Sequence, residues 1–280
     1  MQNVILITGA TDGIGFETAK MLIALGHHVI AHGRNPSKVA AVINQLNNIA
    51  GEGKAESVIA DLSDLKTVTA MIEEIAQRFS KIDVLINNAG VFNAPQTITP
   101  DGLDIRFVVN TIAPYLLTTA LLPLLPKTGR VINLSSAAQA PVNIEALDGR
   151  AGLTKTESSN KTGALSDSDA YAQSKLALTM WSRYLGQKYK PEGPVIVSVN
   201  PKSLLGSKMV KSAFGIAGGD LRLGADILVR ATLSEEFAHA HGLYFDNDLE
   251  RFTEPHGQAL NDDKVKQVVN SIERLIRELT

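Results

Sequence analysis

The sequence predicts an α/β protein, a doubly wound sheet of about seven parallel strands with helices on both faces. Three observations predict it. Short β-rich runs alternate with longer amphipathic stretches along the whole chain, and such alternation implies strand–helix–strand units that build a parallel sheet. The short runs are almost continuously apolar, as strands covered on both faces are. A glycine-rich turn joins the first run directly to the first helical pattern.

In order, the strand candidates are 3–8 (NVILIT), 28–32 (HVIAH), 56–60 (ESVIA), 82–87 (IDVLIN), 130–135 (RVINLS), 194–199 (PVIVSV) and 242–246 (GLYFD). Between them, helices are expected near 14–26, 36–50, 64–80, 100–123, 170–188, 220–233 and 262–278, the last a packing helix with one apolar face. No Pro/Gly linker and no repeat divides the 280 residues, so residues 1–280 read as a single domain. Residues 137–168 stand apart. Their Ser, Thr, Gly, Lys and Asn content, densest in GLTKTESSNKTGALSDS at 152–168, reads as a long insertion loop. A loop of that length is usually functional or mobile.

Composition narrows the function. Hydrophobic residues make up 44% and charged residues 20%, as in soluble globular proteins, and the formal charge is −2. A nucleic-acid or anionic-membrane partner would want a basic excess, so neither is expected. The absence of cysteine excludes a disulfide scaffold, a thiolate metal site and a cysteine nucleophile. The six histidines lack H-E-x-x-H or similar spacing, so no metal site is expected. MQNVILITGA has no Lys or Arg before its apolar run, unlike a secretory signal. The longest apolar stretch, 112–126, is too short to cross a bilayer and holds three prolines. The expected location is cytoplasmic, with no transmembrane segment.

The first strand runs into TGATDGIG, residues 8–15, with Gly9, Gly13 and Gly15 in G-x-x-x-G-x-G spacing. Backbone amides at a helix N-terminus hold anions, and glycines let a pyrophosphate approach closely. With strand, turn and helix in place, Thr11, Asp12 and Ile14 join the three glycines as candidate dinucleotide contacts. The end of the second strand tests which dinucleotide. An unphosphorylated ribose asks for Asp or Glu here. The chain has HGRN at 32–35, with Gly33 where the acid would sit and Arg34 next. A guanidinium suits a 2′-phosphate through paired hydrogen bonds, so NADP(H) is expected over NAD(H), with Asn35 and Lys38 close by. The plainer alternative makes Arg34 a solvated loop residue. In ADLSD at 60–64, Asp61 and Leu62 are placed to bracket the adenine, while Ser63 as cap and Asp64 near the dipole would serve the next helix.

After the fourth run comes NNAG (87–90), after the fifth NLSS (133–136), then YAQSK (171–175). Together with TGATDGIG, and in this order, these motifs resemble the short-chain dehydrogenase/reductase family over nearly the whole chain. The glycine spacing is similar to its classical branch. The resemblance implies a Rossmann-type sheet and hydride transfer between a nicotinamide and a carbonyl or alcohol carbon. It implies a catalytic Tyr171 and Lys175, a serine at Ser136 with Ser135 as the alternative, and Asn110 in VVNT. It further implies that Asn87, Asn88, Ala89 and Gly90 shape the adenine–ribose side, and that Pro201 and Ser207 lie by the nicotinamide, with Gly206 adjacent to the latter. The chemistry of the residues agrees. Tyr171 and Lys175 are four apart, hence on one helix face. A free phenol titrates near 10, and a neighbouring ammonium is expected to lower that value. The pair would then exchange a proton with an alkoxide or alcohol, the serine hydroxyl would hold the substrate oxygen, and Lys175 would reach the nicotinamide ribose with Asn110 anchoring a water relay to it.

Two features depart from the family. NPKSLLGSKM at 200–209 has Lys202 where the family has glycine. Ser136 and Tyr171 are 35 positions apart, longer than in the classical branch, which resembles the retinol-dehydrogenase and protochlorophyllide-reductase-like members. That branch often handles bulky, lipophilic carbonyls. Trp181 reads as core or subunit packing, and AFGIAGG (213–219) as a flap or a helix end. The sequence thus points to an NADPH-dependent carbonyl reductase of small-molecule substrates, compatible with a homo-oligomer. The rival is a non-catalytic NADP(H)-sensing protein on the same fold, which Lys202 favours and the intact Ser/Tyr/Lys/Asn set opposes.

Overall fold

The structure, a computed structural model, describes residues 2–150 and 165–280. Residues 151–164 of the expected insertion, which include most of its Ser/Thr-rich part, therefore lie outside the described residues, while 137–150 are described and carry a short helix. Eight strands among the described residues form one sheet: β1 (Val4–Ile7), β2 (His28–Gly33), β3 (Lys54–Ile59), β4 (Val84–Asn87), β5 (Arg130–Leu134), β6 (Val195–Asn200), β7 (Tyr244–Asp246) and β8 (Arg251–Thr253). Their spatial order is β3-β2-β1-β4-β5-β6-β7-β8. All neighbours pair in parallel except β7 and β8. The first seven match the expected runs to within a few residues. The eighth was not expected: it is three residues long with one large apolar side chain, too short for a period to show.

The helices are α1 (Gly13–Ala24), α2 (Pro36–Asn47), α3 (Leu65–Arg78), α4 (Ile105–Phe107), α5 (Ala113–Leu121), α6 (Ile144–Leu147), α7 (Asp167–Tyr189), α8 (Lys208–Phe214), α9 (Leu221–Leu233) and α10 (Asp262–Leu279). One layer holds α1, α2 and α9, the other α3, α5 and α7, with α10 packed beyond. β1 shows how a doubly covered strand reads: Ile5 and Ile7 join the core under the first layer, Leu6 the core under the second. On α10, Val265, Val268, Val269, Ile272 and Leu275 are buried in helical spacing. Trp181 on α7 is fully buried and meets Tyr115 of α5 edge-on, with centroids 5.5 Å apart. Among the described residues this makes it a core residue.

Between α4 and α5 the chain makes a π turn, Val108–Ile112, in which the Ala113 N–H donates to the Val108 carbonyl. Pro114 explains it. A proline inside a helix lacks the N–H that would bond four residues back, and its ring crowds that carbonyl, here Asn110. Widening the turn absorbs the conflict, and such bulges recur at functional positions. The run Ile105–Leu124, 20 residues long with hydropathy 1.6, extends the apolar stretch 112–126 and is long and apolar enough to cross a bilayer by length and composition only. In this fold the run, α4 through α5, packs inside its layer and is mostly buried.

Candidate active site

A cavity of about 540 Å³ opens at the C-terminal ends of the strands. It sits where β1 and β4 lie side by side and the sheet changes winding direction, the usual ligand position in such sheets. The glycine turn forms its floor. Gly9 has φ +66° and Gly13 φ +55°, a region L side chains avoid. A Cβ on Gly9 would sit 2.9 Å from the Ala89 Cα, and one on Gly15 2.5 Å from the Gly9 carbonyl oxygen. A Cβ on Gly13 would meet nothing within 4 Å, so this part of the turn faces open space at the start of α1. That cradle fits a nicotinamide dinucleotide. Gly9, Thr11, Asp12, Gly13 and Ile14 line the cavity, whereas Gly15 lies beneath, against Asn88.

Asp12 caps α1 by accepting from the Gly13 N–H at 2.9 Å. Two lysines meet its carboxylate, Lys38 at 3.0 Å and Lys208 at 2.6 Å. Burial opposes ionisation, but these ammonium groups outweigh it and hold the Asp12 carboxyl down at about 2. Arg34 lines the cavity with an exposed side chain that has no ion pair among the described residues. The cluster of Asp12, Lys38, Lys208 and Arg34 thus carries more positive than negative charge, which suits phosphate. Asn35 does not join it. Its side chain caps α2, accepting from the Lys38 N–H at 2.9 Å, which is the ordinary use of Asn before Pro at a helix start. Asp61 and Leu62 line the cavity. One Asp61 oxygen accepts from the Ser63 N–H and hydroxyl, and the cap of α3 is Asp64 rather than Ser63.

His32 escaped the sequence reading. Its ring is buried under the glycine turn, with Nδ1 accepting from the Gly9 N–H at 3.2 Å and Nε2 3.1 Å from the Ala60 carbonyl. Burial pushes its pKa down to about 4, so the neutral ring with its proton on Nε2 serves both bonds. A polar residue inside an apolar strand run was the available signal.

The NNAG residues divide. Asn88, Ala89 and Gly90 line the cavity. The Asn88 side chain donates to the Thr8 carbonyl at 2.8 Å, and the Ala89 N–H to the Thr8 hydroxyl at 3.0 Å, locking β4 to the glycine turn. Asn87 does not line it. It is buried between layers and donates to Asn133 of β5 at 2.8 Å.

Tyr171 and Lys175 project from the first half of α7 into the cavity. The helix start is well held: Ser166 caps it, and buried Arg106 of α4 binds both Asp104 and Asp167. Lys175 donates to the Leu134 carbonyl at 2.7 Å, with its nitrogen 5.6 Å from the centroid of the Tyr171 ring. Burial pushes its pKa down to about 8. Burial raises the Tyr171 hydroxyl above the ordinary phenol value, and the Ser136 hydroxyl beside it pulls the other way. The expected lowering by Lys175 is not seen, because the ammonium is turned to Leu134. The two serines also separate. Ser135 lines the cavity but is buried, with its hydroxyl engaged 2.6 Å from that of Thr179. Ser136 is not among the residues that line the cavity, but its hydroxyl is the one beside the Tyr171 hydroxyl. Asn110 does not line the cavity. Its side chain clasps Val91 behind it, accepting from the N–H at 2.8 Å and donating to the C=O at 2.9 Å, and donates to Ser174 at 3.0 Å.

Pro201 and Ser207 line the cavity; Ser207 also caps α8, accepting from the Val210 N–H at 3.1 Å. Lys202 has φ +117°, which explains the family glycine: the loop keeps its glycine conformation although a lysine stands there. AFGIAGG is a helix end, with Gly215 in the left-handed conformation after α8. The sequence also did not reveal α8 as a wall. Lys208, Met209 and Ser212 face the cavity, and the Asn93 side chain donates to Ser212 at 3.2 Å across its rim. Phe92 lies against Tyr171 with centroids 5.0 Å apart.

The chain is similar to known proteins in sequence and in fold. Human polyprenol dehydrogenase is 34% identical over 220 residues, which span 75% of this chain and 63% of that one. Human retinol dehydrogenase 13 is 28% identical over 91% of this chain and 79% of its own. The crystal structure of landomycin C-6 ketoreductase with bound NADP and rabelomycin superposes with a TM-score of 0.65 at 26% identity, covering 88% of this chain and 94% of that one. The family model described as short chain dehydrogenase matches residues 3–146, just over half of the chain. The chain belongs to the short-chain dehydrogenase family, in the branch that holds the retinol dehydrogenases.

Proposed function

We propose that the protein is an NADPH-dependent reductase of lipophilic carbonyl compounds. The placement of Tyr171 carries the reading: its hydroxyl lies beside that of Ser136, with the Lys175 nitrogen 5.6 Å from its ring centroid, in a cavity continuous with the nucleotide cradle, and a phenol of ordinary or raised pKa is protonated at neutral pH. A protonated phenol is an acid, which reduction requires, rather than the base that alcohol oxidation requires. NADPH would supply the hydride to the carbonyl carbon. Tyr171 gives its proton to the carbonyl oxygen as charge develops there, and Ser136 donates a hydrogen bond to that oxygen. Lys175 supplies positive charge beneath the phenol, and Asn110 acts indirectly by fixing the backbone at Val91. Preference for NADPH is supported by Gly33 in place of an acid, by Arg34, which has no ion pair among the described residues, and by the NADP bound in the ketoreductase relative. A lipophilic substrate is supported by the walls Val91, Phe92, Ile105, Val109 and Met209, and by relatives named for polyprenol and retinol. The sensor reading loses support, since Lys202 does not line the cavity.

The test is NADPH oxidation with a panel of aldehydes and ketones that includes long isoprenoid ones. Tyr171→Phe is expected to lose at least about 10²-fold in turnover with NADPH affinity intact. Arg34→Ala is expected to weaken NADPH about tenfold or more and leave NADH unchanged. Wild-type turnover in Tyr171→Phe would refute the reductase reading; equal losses for both cofactors in Arg34→Ala would refute only the NADPH preference.

A further inference from the structure

The Ser136 carbonyl oxygen, on the peptide that carries the proposed substrate-holding hydroxyl, receives two side-chain donors. The Tyr244 hydroxyl of β7 lies 3.1 Å from it, and the Gln139 side-chain amide 3.0 Å. A third bond orients the hydroxyl itself, whose oxygen accepts from the Ala138 N–H at 3.1 Å. With that lone pair engaged, the Ser136 proton is free to point at Tyr171 or a substrate oxygen. Gln139 also accepts from the His256 N–H at 3.1 Å, and the Val142 N–H donates to the Gln258 side chain at 2.9 Å. The loop after β5 is therefore bolted to the segment between β8 and α10.

We infer that Gln139 and Tyr244 are positioning residues for the reaction: they hold the Ser136 peptide and make the C-terminal segment around His256 part of the site's support. Neither residue lines the cavity, and both meet the site through the Ser136 carbonyl. Tyr244 is suited to the role because it remains a donor. It is only 5% exposed, and burial, with Asp246 and Asp248 nearby, keeps its hydroxyl well above the usual phenol range. The ordinary alternative is that both bonds only stabilise the fold. A positioning role differs from that in where the loss appears. Displacing Ser136 by a fraction of an ångström lowers the chemical step, since reacting groups tolerate little misplacement. It leaves the nucleotide cradle, built from β1, β2 and β4, untouched.

The inference rests on the reductase reading only for its kinetic arm, so the experiment has two arms. In the first, tyrosine carrying a ¹³C label at the ring carbon bonded to oxygen is incorporated, and the Tyr171 resonance is assigned by its disappearance in Tyr171→Phe. Ser136→Ala shifts this resonance by removing the neighbouring hydroxyl. Gln139→Leu and Tyr244→Phe are expected to shift it in the same direction, with melting temperatures near wild type. An unmoved Tyr171 resonance in both variants overturns the inference whatever the substrate proves to be. In the second arm, each variant is expected to lose on the order of ten- to a hundredfold in kcat with KM for NADPH unchanged. Unchanged kcat in the double variant, with Tyr171→Phe inactive, overturns the inference and leaves the reductase reading standing. A Tyr171→Phe protein that still turns over defeats the reductase reading alone, since the resonance arm does not depend on it.

Discussion

The Lys175 ammonium rests 2.7 Å from the Leu134 carbonyl, with its nitrogen 5.6 Å from the centroid of the Tyr171 ring four residues before it. The lysine therefore serves first as a buried charge tied to the end of β5, and the tyrosine keeps its proton.

That geometry sets a pH profile. Lys175 has fallen from an ordinary 10.5 to about 8 through burial. In the free enzyme, kcat/KM for reduction should be level up to about pH 8 and fall above it as the ammonium loses its proton. Stability carries the matching sign. Between about 8 and 10.5 the unfolded chain binds this proton and the folded chain does not, so the contribution of Lys175 to stability rises with pH there. Lys175→Met should abolish turnover and that slope together. A rate profile level through pH 10 would refute the assignment.

The adjacent serines should separate cleanly. Ser136→Ala is expected to lower kcat on the order of 10²-fold with little change in melting temperature. Ser135→Ala, which breaks the buried pair with Thr179, is expected to cost about 1 kcal/mol of stability and keep kcat within a few-fold. Denaturation and steady-state kinetics on the two proteins check this; the reverse pattern would make Ser135 the catalytic residue.

Gly15→Ala should destroy nucleotide binding. The added methyl would overlap the Asn88 amide and lie 2.5 Å from the Gly9 carbonyl oxygen, and backbone cannot yield as a flexible side chain can. NADPH titration by fluorescence should show no saturable binding, with the fold retained in circular dichroism. Retained affinity would mean that the turn has more freedom than its contacts imply.

Lys202→Gly should stabilise the protein. A lysine at φ +117° stores strain on the order of 1–3 kcal/mol, which glycine does not. Part of the gain is offset by the greater freedom of glycine in the unfolded chain, so about 1 kcal/mol is expected in urea denaturation. A loss of stability would mean that the Lys202 side chain makes compensating contacts.

The sheet was legible because strands buried on both faces must be apolar throughout, and seven such runs stood out. β8 and α8 were not, for Arg251–Thr253 is too short to show a period and Lys208–Phe214 lies among glycines. At the site, residues whose backbone does the work were readable, since Gly9, Gly13 and Gly15 answer to sterics alone. Side-chain direction was not. Nothing in NLSS says which serine faces the helix, and Asn35 serves equally well as a cap or a ligand. Nor does YAQSK reveal that a carbonyl from another element claims the lysine. His32 was visible as an anomaly, but its partners Gly9 and Ala60 meet it only once three strands are assembled.

The reversed strand β8 has a consequence for the behaviour of the protein at high concentration. An open sheet has two rims, each a row of unpaired amides and carbonyls on which another chain can polymerise. One rim here is β3, where Glu56 is tied to Lys54 and Arg78, its guanidinium 2.9 Å away. The other is β8, only three residues long, entered through Glu250 at φ +53° and headed by exposed Arg251. Charge guards one margin and brevity the other, so the molecule resists ordered edge-to-edge aggregation although its interior strands are of the kind that most readily form it.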